Sequence, residues 1–199
     1  MAKRLFDIIA SALGLLLLAP VLLVLALWVR LDSPGPALFR QQRVGRFGKP
    51  FMIHKFRTMR VAAEQQGPLI TIGADQRITA AGQVLRRYKL DELPQLWDVL
   101  RGAMSLVGPR PEVPRYVALY PEELRRIVLS VRPGITDPAS LAFSAEADEL
   151  AKAPDPEKAY RDSVLPRKLE MAAGYVLTAG LRSDIQLLFK TMGKLWGKR

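Results

Sequence analysis

Apolar residues are concentrated at one end of the chain. From Ile8 to Leu31 the sequence reads IIASALGLLLLAPVLLVLALWVRL, 24 residues with a single charge, Arg30. As one helix this stretch would run about 36 Å, against a bilayer hydrocarbon core of roughly 30 Å. Pro20 falls near its middle, where a proline removes one backbone hydrogen bond and clashes with the carbonyl four residues earlier. A kink or break near Leu16 to Pro20 is therefore expected, giving halves of about 18 Å that are too short to span. Lys3 and Arg4 precede the segment, and Arg30, Arg40, Arg43 and Arg46 follow. Cationic flanks favour the cytoplasmic side, so residues 1–33 read as a re-entrant helix-break-helix anchor with both ends on the cytoplasmic face. A kinked full span is the competing reading. A cleaved signal peptide is weaker, because no small-x-small site follows the apolar run.

After the turn-rich DSPGP (Asp32 to Pro36), the pattern changes, and residues 34–199 read as one folding unit. ALFRQQRVG and KPFMIHKFRTM alternate apolar with basic positions around Arg46, Phe47 and Gly48, the pattern of a short β-hairpin with a basic polar face. The lone histidine, His54, falls in its second strand and reads as a solvated or hydrogen-bonded strand residue rather than a base. Residues 61 to 80 form a polar, glycine-containing connection suited to lying over a site. Helical spacing returns at Gln83 to Tyr88 and Glu92 to Arg101, where Leu93, Leu96, Trp97 and Leu100 recur as core positions. SLVGPRPEVPRY stiffens Arg110 between two prolines. A helix follows from about Pro121 to Ser130, then Arg132 in an Arg-Pro-Gly turn, then helical residues 144 to 174 interrupted by APDP.

The tail SDIQLLFKTMGKLWGKR places Ile185, Leu188, Phe189, Met192, Leu195 and Trp196 on one helical stripe, with Lys190, Lys194, Lys198 and Arg199 for the polar side and Ser183 or Asp184 as cap. That is a basic amphipathic helix fit for a membrane interface, or equally one docked on the core. The fold class is α+β, mostly helical, and membrane-anchored.

Charge narrows the partners. There are 30 Lys and Arg against 19 Asp and Glu, a net +11, which fits nucleic acid, phospholipid or a phosphorylated substrate. Interleaved basic and aromatic runs are lacking, which argues against nucleic acid. With no cysteine and one histidine, thiolate chemistry, disulfides, a His-rich metal site and a histidine-dependent triad are excluded or disfavoured.

Acid stands out against this background in YKLDELPQLWDVL, where Asp91 and Glu92 are adjacent. Structurally, Asp91 suits an N-cap, with Pro94 tolerated in the first turn. Chemically, Arg86 and Arg87 precede the pair, and Arg110 and Arg132 sit in stiff loops from which guanidinium groups can converge on phosphate oxygens. A carboxylate there would stay ionised and act as a nucleophile on phosphorus, while its neighbour held Mg2+ against the repulsion between two anions. Lys55 and Arg57, in HKFRTM, are further phosphate-binding candidates.

Three ordered stretches carry a resemblance: the segment from RLFDIIASALG through HKFRTM, then LDELPQLWDVLRGAMSLVGPRP, then VRPGIT. Over roughly residues 3 to 140 the chain resembles the bacterial sugar transferases, small monotopic phosphoglycosyl transferases that begin lipid-linked glycan assembly. The resemblance implies transfer of a sugar 1-phosphate from a UDP-sugar to undecaprenyl phosphate at the cytoplasmic face of the bacterial inner membrane, releasing UMP. It puts the nucleophile on Asp91, the partner acid and Mg2+ ligand on Glu92, and a phosphate-binding arginine on Arg110. It also supports a re-entrant helix broken at Pro20, and leaves homodimerisation open. Departures are Ala19 for a common serine, Ala103 for a common acid, Asp98 for a common asparagine, and DPASLAF after RPGIT, which bears on donor or sugar recognition. The rival readings are direct transfer in one ternary complex, an anionic-lipid-binding module, and a non-catalytic scaffold.

Overall fold

The computed structural model describes residues 1–61, 70–73, 75–143 and 145–196, with the side chains of Leu195 and Trp196 excepted. Residues 62–69 and 74 of the connection expected over the site, and the terminal Lys198 and Arg199, lie outside the described residues, as does the Trp196 side chain.

Helix α1 (Ala2–Asp32) contains Pro20 and is not ended by it. The expected pair of separate half-helices is one continuous element of about 46 Å. Proline forfeits one hydrogen bond, and the turns on either side are held by packing along the helix. Towards the C-terminal end Leu25 and Val29 are buried with Phe56 and Leu85, and Leu22 and Ala26 lie against them. Each fully buried aliphatic side chain contributes about 1.5–3 kcal/mol, enough together to offset the lost bond. Near the other end the Leu96 side chain lies close enough that a Cβ on Gly14 would stand 3.1 Å from it.

Both ends of α1 are fastened to the same body. Lys3 and Arg4, expected as membrane flanks, are docked instead: Lys3 pairs with Asp184 and donates to the Val107 carbonyl at 2.9 Å, and Arg4 donates to the Leu100 carbonyl at 2.9 Å. Asp7, 2% exposed, accepts from the Ser105 hydroxyl at 2.9 Å and the Leu106 N–H at 3.1 Å. At the far end Arg57 donates to the carbonyls of Val29 (3.2 Å), Ser33 (2.8 Å) and Pro36 (2.7 Å). These bonds satisfy terminal carbonyls that a helix leaves open. The outward face remains apolar, with Leu16, Leu17 and Leu23 at 72–73% exposure. Among the described residues α1 is the one helix long and apolar enough to cross a membrane.

The hairpin is present: β1 (Leu38–Val44) pairs antiparallel with β2 (Pro50–Phe56), from Leu38 opposite Phe56 to Val44 opposite Pro50. His54 is hydrogen-bonded, its Nδ1 2.7 Å from the Asp98 carboxylate, which also accepts the His54 N–H at 2.9 Å. This pair ties β2 to α3 (Gln95–Arg101). The other sheet had no clear sequence signal: β3 (Ser105–Val107) and β4 (Gly134–Thr136) pair in parallel. Glycine permits their approach, because a Cβ on Gly134 would stand 2.0 Å from the Gly108 nitrogen. The proline-rich loop carrying Arg110 therefore leaves β3, and the turn carrying Arg132 leads into the adjacent β4.

The rest is helical. Short helices α4 (Pro114–Val117), α5 (Glu122–Val128), α6 (Pro138–Ala142), α7 (Glu146–Leu150) and α8 (Pro156–Ala159) lead through a π-helical turn into α9 (Leu165–Thr178). Their core gathers Tyr116, Leu150, Tyr160, Leu165 and Leu169. In α10 (Leu181–Trp196), Asp184 does not cap the helix: it is 1% exposed, bonded to Lys3 and to the Tyr175 hydroxyl at 2.7 Å. Leu187 and Leu188 pack against the core while Phe189 and Met192 stay exposed, so α10 is docked on one side and apolar to solvent on another.

Candidate active site

Asp91 and Glu92 sit in a 3₁₀ turn (Leu90–Glu92) between α2 (Ala80–Arg87) and α3. The cap of α3 is Pro94, so Asp91 does not serve as its N-cap. Lys89, just before the turn, takes a left-handed backbone at φ 57°. Such a conformation is uncommon outside glycine and persists where surrounding structure imposes it. It reverses the chain between α2 and the acids, placing both carboxyl groups inward, each 7% exposed.

Their surroundings differ. Glu92 accepts from Arg110 through both terminal nitrogens, one at 3.3 Å, and from Lys55 Nζ at 3.2 Å. Burial pushes its pKa up, but Arg110 and Lys55 outweigh burial and hold it well below the usual carboxylate range. Asp91 Oδ1 is buried without a hydrogen-bond partner among the described residues. Burial, and then the Glu92 charge, raise its pKa, with Lys55, Lys89 and Arg86 opposing. The arginine cluster expected to keep Asp91 ionised is thus aimed chiefly at Glu92. Arg110 is raised by Glu92, and Lys55 is pushed down to about 8 by burial, against the pull of Glu92.

The remaining predicted residues divide. Arg86, at the end of α2, donates to Thr58 and Thr71 hydroxyls, each at 2.8 Å; burial lowers its pKa and the nearby Asp91 charge opposes that. It belongs to the site. Arg57 is not brought to the acids, its guanidinium being held by the end of α1 and by Ser33. Arg132 donates to the Gly102 carbonyl at 2.8 Å and faces the charges of Arg4 and Arg46, away from the pair. Pro20 lies in α1.

Gln95 was not anticipated. It is 1% exposed, one helical turn beyond Asp91, and its Nε2 has no partner among the described residues. Its place in DELPQ, four residues after Asp91, was the available signal. Asp137 was also missed: it accepts from the Arg110 N–H at 3.3 Å and caps α6 through the Ser140 N–H at 2.7 Å, fixing the loop that carries Arg110.

No group of three or more His, Cys, Asp or Glu is gathered among the described residues. A magnesium ion needs fewer, because it is often held by one or two carboxylates together with substrate phosphates and water. Two adjacent carboxylates, one with an unpartnered oxygen, fit that demand.

The family model for bacterial sugar transferases matches residues 1–198, and the chain belongs to that family. It is 36% identical over 194 residues to the UDP-N-acetylgalactosamine-undecaprenyl-phosphate N-acetylgalactosaminephosphotransferase of Aeromonas hydrophila, covering 96% of this chain and 42% of that protein. It is 38% identical over 199 residues to the UDP-glucose:undecaprenyl-phosphate glucose-1-phosphate transferase of Caulobacter vibrioides, covering 97% of this chain and 69% of that one. An exopolysaccharide production protein of Rhizobium leguminosarum is 44% identical over 160 residues, 76% of this chain and 79% of that protein. The chain thus spans less than half of the Aeromonas protein and about two thirds of the Caulobacter one.

Proposed function

We propose that this chain transfers a sugar 1-phosphate from a UDP-sugar to undecaprenyl phosphate, giving undecaprenyl-diphosphate-sugar and UMP. The observation that carries the reading is the contrast between two adjacent buried acids: Glu92 clamped by Arg110 and Lys55, and Asp91 with an unpartnered oxygen. Family membership and the activities named for the relatives support it.

Asp91, once ionised, attacks the β-phosphorus of the donor. A carboxylate oxygen–phosphorus bond forms, the bond to the bridging oxygen breaks, and UMP leaves with that oxygen. The phosphosugar stays on Asp91 as an acyl phosphate, which the lipid phosphate then attacks, freeing the carboxylate. Arg110, Lys55 and Arg86 bind and orient phosphate oxygens. Glu92, with Asp91 beside it, would hold Mg2+, whose charge would offset that of the donor pyrophosphate.

The anchor reading follows from α1. With both ends fastened to one body and its outer face apolar, α1, bent at Pro20, enters the membrane from the cytoplasmic face and returns to the same side, a monotopic placement against phospholipid with the exposed apolar residues of α10 at headgroup level. The location is the bacterial inner membrane.

The test is UMP release from a panel of UDP-sugars with Mg2+ and undecaprenyl phosphate, comparing the native chain with Asp91→Asn, and intact mass after donor alone. Acceptor-dependent release lost in the variant, with a phosphosugar mass on the native chain, supports the covalent route. The raised pKa of Asp91 also suits a general base in direct transfer; release without any adduct would favour that route, and full activity of Asp91→Asn would refute both.

A further inference from the structure

The hairpin that carries Lys55 has an open edge beside the acids. Among the described residues β1 and β2 form a sheet of two strands, so each strand has one edge without a neighbour. Antiparallel strands bond through alternate residues. The Arg57 N–H reaches the Ala37 carbonyl across the hairpin at 2.9 Å, so along β2 the N–H groups of Lys55 and Ile53 face β1 and that of His54 faces away from it. There the His54 N–H donates to Asp98 of α3 at 2.9 Å, and the other carboxylate oxygen lies 2.7 Å from the ring Nδ1 of the same residue. One carboxylate takes the place of the missing strand at this point.

The next residue is held from the opposite face. Successive side chains of a strand point to opposite sides, so Lys55 leaves β2 on the face away from the His54 ring, and its Nζ donates to Glu92 at 3.2 Å. Glu92 and Asp98 belong to one segment, the acidic turn and α3, which thus grips two consecutive residues of β2 from both faces. The hold at His54 is the stiffer. It engages the strand backbone and a ring together, whereas Lys55 reaches Glu92 through a flexible four-carbon stem. Ile53 also packs with Val99 and Met104, but apolar contact is non-directional and does not fix the position of a strand along its own axis.

We infer that Asp98 is a positioning residue for the transfer: acting through His54, it sets β2 against the acidic turn so that the Lys55 ammonium stands beside Glu92, ready for the donor phosphate. The inference rests on the transferase reading, in which Lys55 orients phosphate oxygens. It places behind the site a carboxylate that is 2% exposed and takes part in no chemical step.

The experiment is a double-mutant cycle on the full chain, Asp98→Ala with Lys55→Met, read as kcat/KM of UMP release for the donor per folded molecule and as melting temperature. Positioning through Lys55 makes the two substitutions non-additive. Asp98→Ala should cost about 10-fold or more in the native background, the scale of a misplaced group, and less than about 2-fold once Lys55 is gone. In the melt, the shift caused by Lys55→Met should shrink in the Asp98→Ala chain, because the Lys55–Glu92 pair is already loosened there. Asp98→Asn keeps an acceptor for the His54 N–H, and its amide can donate to Nδ1 in the other tautomer; it should recover most of the lost kcat/KM. If Asp98→Ala does not fold, His54→Ala runs the same cycle from the strand side, with a loss of about 5-fold on the scale of one hydrogen bond that again vanishes without Lys55. Val99→Ala is the control for stability alone. It removes apolar contact with β2 and no hydrogen bond, so it should lower the melting temperature while kcat/KM per folded molecule stays within about 3-fold of native.

Additive losses of kcat/KM overturn the proposal, as does a Val99→Ala chain that loses as much activity as Asp98→Ala at equal melting temperature; Asp98 is then a structural contact. If the native chain releases no UMP, the transferase reading fails and the melt cycle decides the positioning: coupled shifts keep Asp98 as the residue that holds Lys55 in place, and additive shifts overturn it.

Discussion

Asp91 and Glu92 are neighbours in sequence, share one 3₁₀ turn and are equally buried, yet they are pushed in opposite directions. Glu92 is held low because two cations outweigh its burial, and Asp91 is raised by burial and then by the Glu92 charge, with no cation bonded to its Oδ1 among the described residues. Burial alone therefore does not set the charge of a carboxylate here; the partners brought by distant segments do. Arg110 arrives from a loop after β3, Lys55 from the hairpin. The same contrast separates a fixed anion that organises cations from an acid that keeps one oxygen without a hydrogen bond among the described residues.

Asp91→Asn should produce the largest effect on activity. It should cut acceptor-dependent UMP release by about 10³-fold or more, as loss of a nucleophile does, without lowering thermal stability, since a neutral amide replaces a carboxyl that burial disfavours as an anion. Glu92→Gln comes next and should behave in the opposite way in a melt. It leaves Arg110 and Lys55 facing a neutral group, at a cost of about 2–3 kcal/mol, below the range for fully buried pairs because Arg110 is one-third exposed. The acid dependence should reverse too. A lowered folded pKa gives Glu92 stability that is complete above its unfolded value near 4.5 and lost as pH falls. The raised pKa of Asp91 opposes folding at neutral pH and relaxes as pH falls through its folded value. Melting curves from pH 7 to 4 should therefore be flatter for Glu92→Gln than for the native chain, and steeper for Asp91→Asn. Equal slopes would break the comparison.

Lys55 sharpens it from the cationic side. Its pKa is pushed down to about 8 from 10.5, so the free enzyme loses this charge on the alkaline side of neutrality. The profile of kcat/KM should fall above about pH 8, and Lys55→Arg should move that limb to higher pH even if the maximum is lower. Native stability should rise between about 8 and 10.5, because the unfolded chain binds the extra proton across that window. A limb that does not move in Lys55→Arg assigns it to another group.

The sequence allowed much of this to be read, but unevenly. Local patterns carried the hairpin, the short helices and the acidic pair, because alternation, proline positions and adjacent charges are properties of short windows. Contacts between distant segments left no such trace. The parallel pairing of β3 with β4 depends on Gly108 and Gly134 meeting, and neither short strand is periodic enough to announce itself. Lys3 and Arg4 look like membrane flanks in isolation and become anchors when Asp184 and the end of α3 reach them. Pro20 allowed a kink or a break, and the sequence alone did not choose between them; packing along α1 keeps the helix continuous through it. At the site, the sequence indicated Asp91, Glu92, Arg110 and Lys55 but overstated convergence, because arginine patterning cannot distinguish a guanidinium free for phosphate from one engaged by carbonyls.

Arg57 and Arg132 test that distinction and should give the smallest effects on chemistry. Arg57→Gln removes donors from the carbonyls of Val29, Ser33 and Pro36 and should destabilise the chain by about 1–3 kcal/mol. Per folded molecule, UMP release should change less than about 3-fold, because the Arg57 guanidinium is engaged at the end of α1. Arg132→Gln removes the bond to the Gly102 carbonyl and relieves repulsion from Arg4 and Arg46, two opposed changes that should leave both stability and turnover near native. If either substitution instead raises the KM for the donor tenfold with the melt unchanged, that arginine reaches the phosphates in the bound state. The division between carbonyl-bound and substrate-bound guanidinium groups would then have to be redrawn around a moving loop.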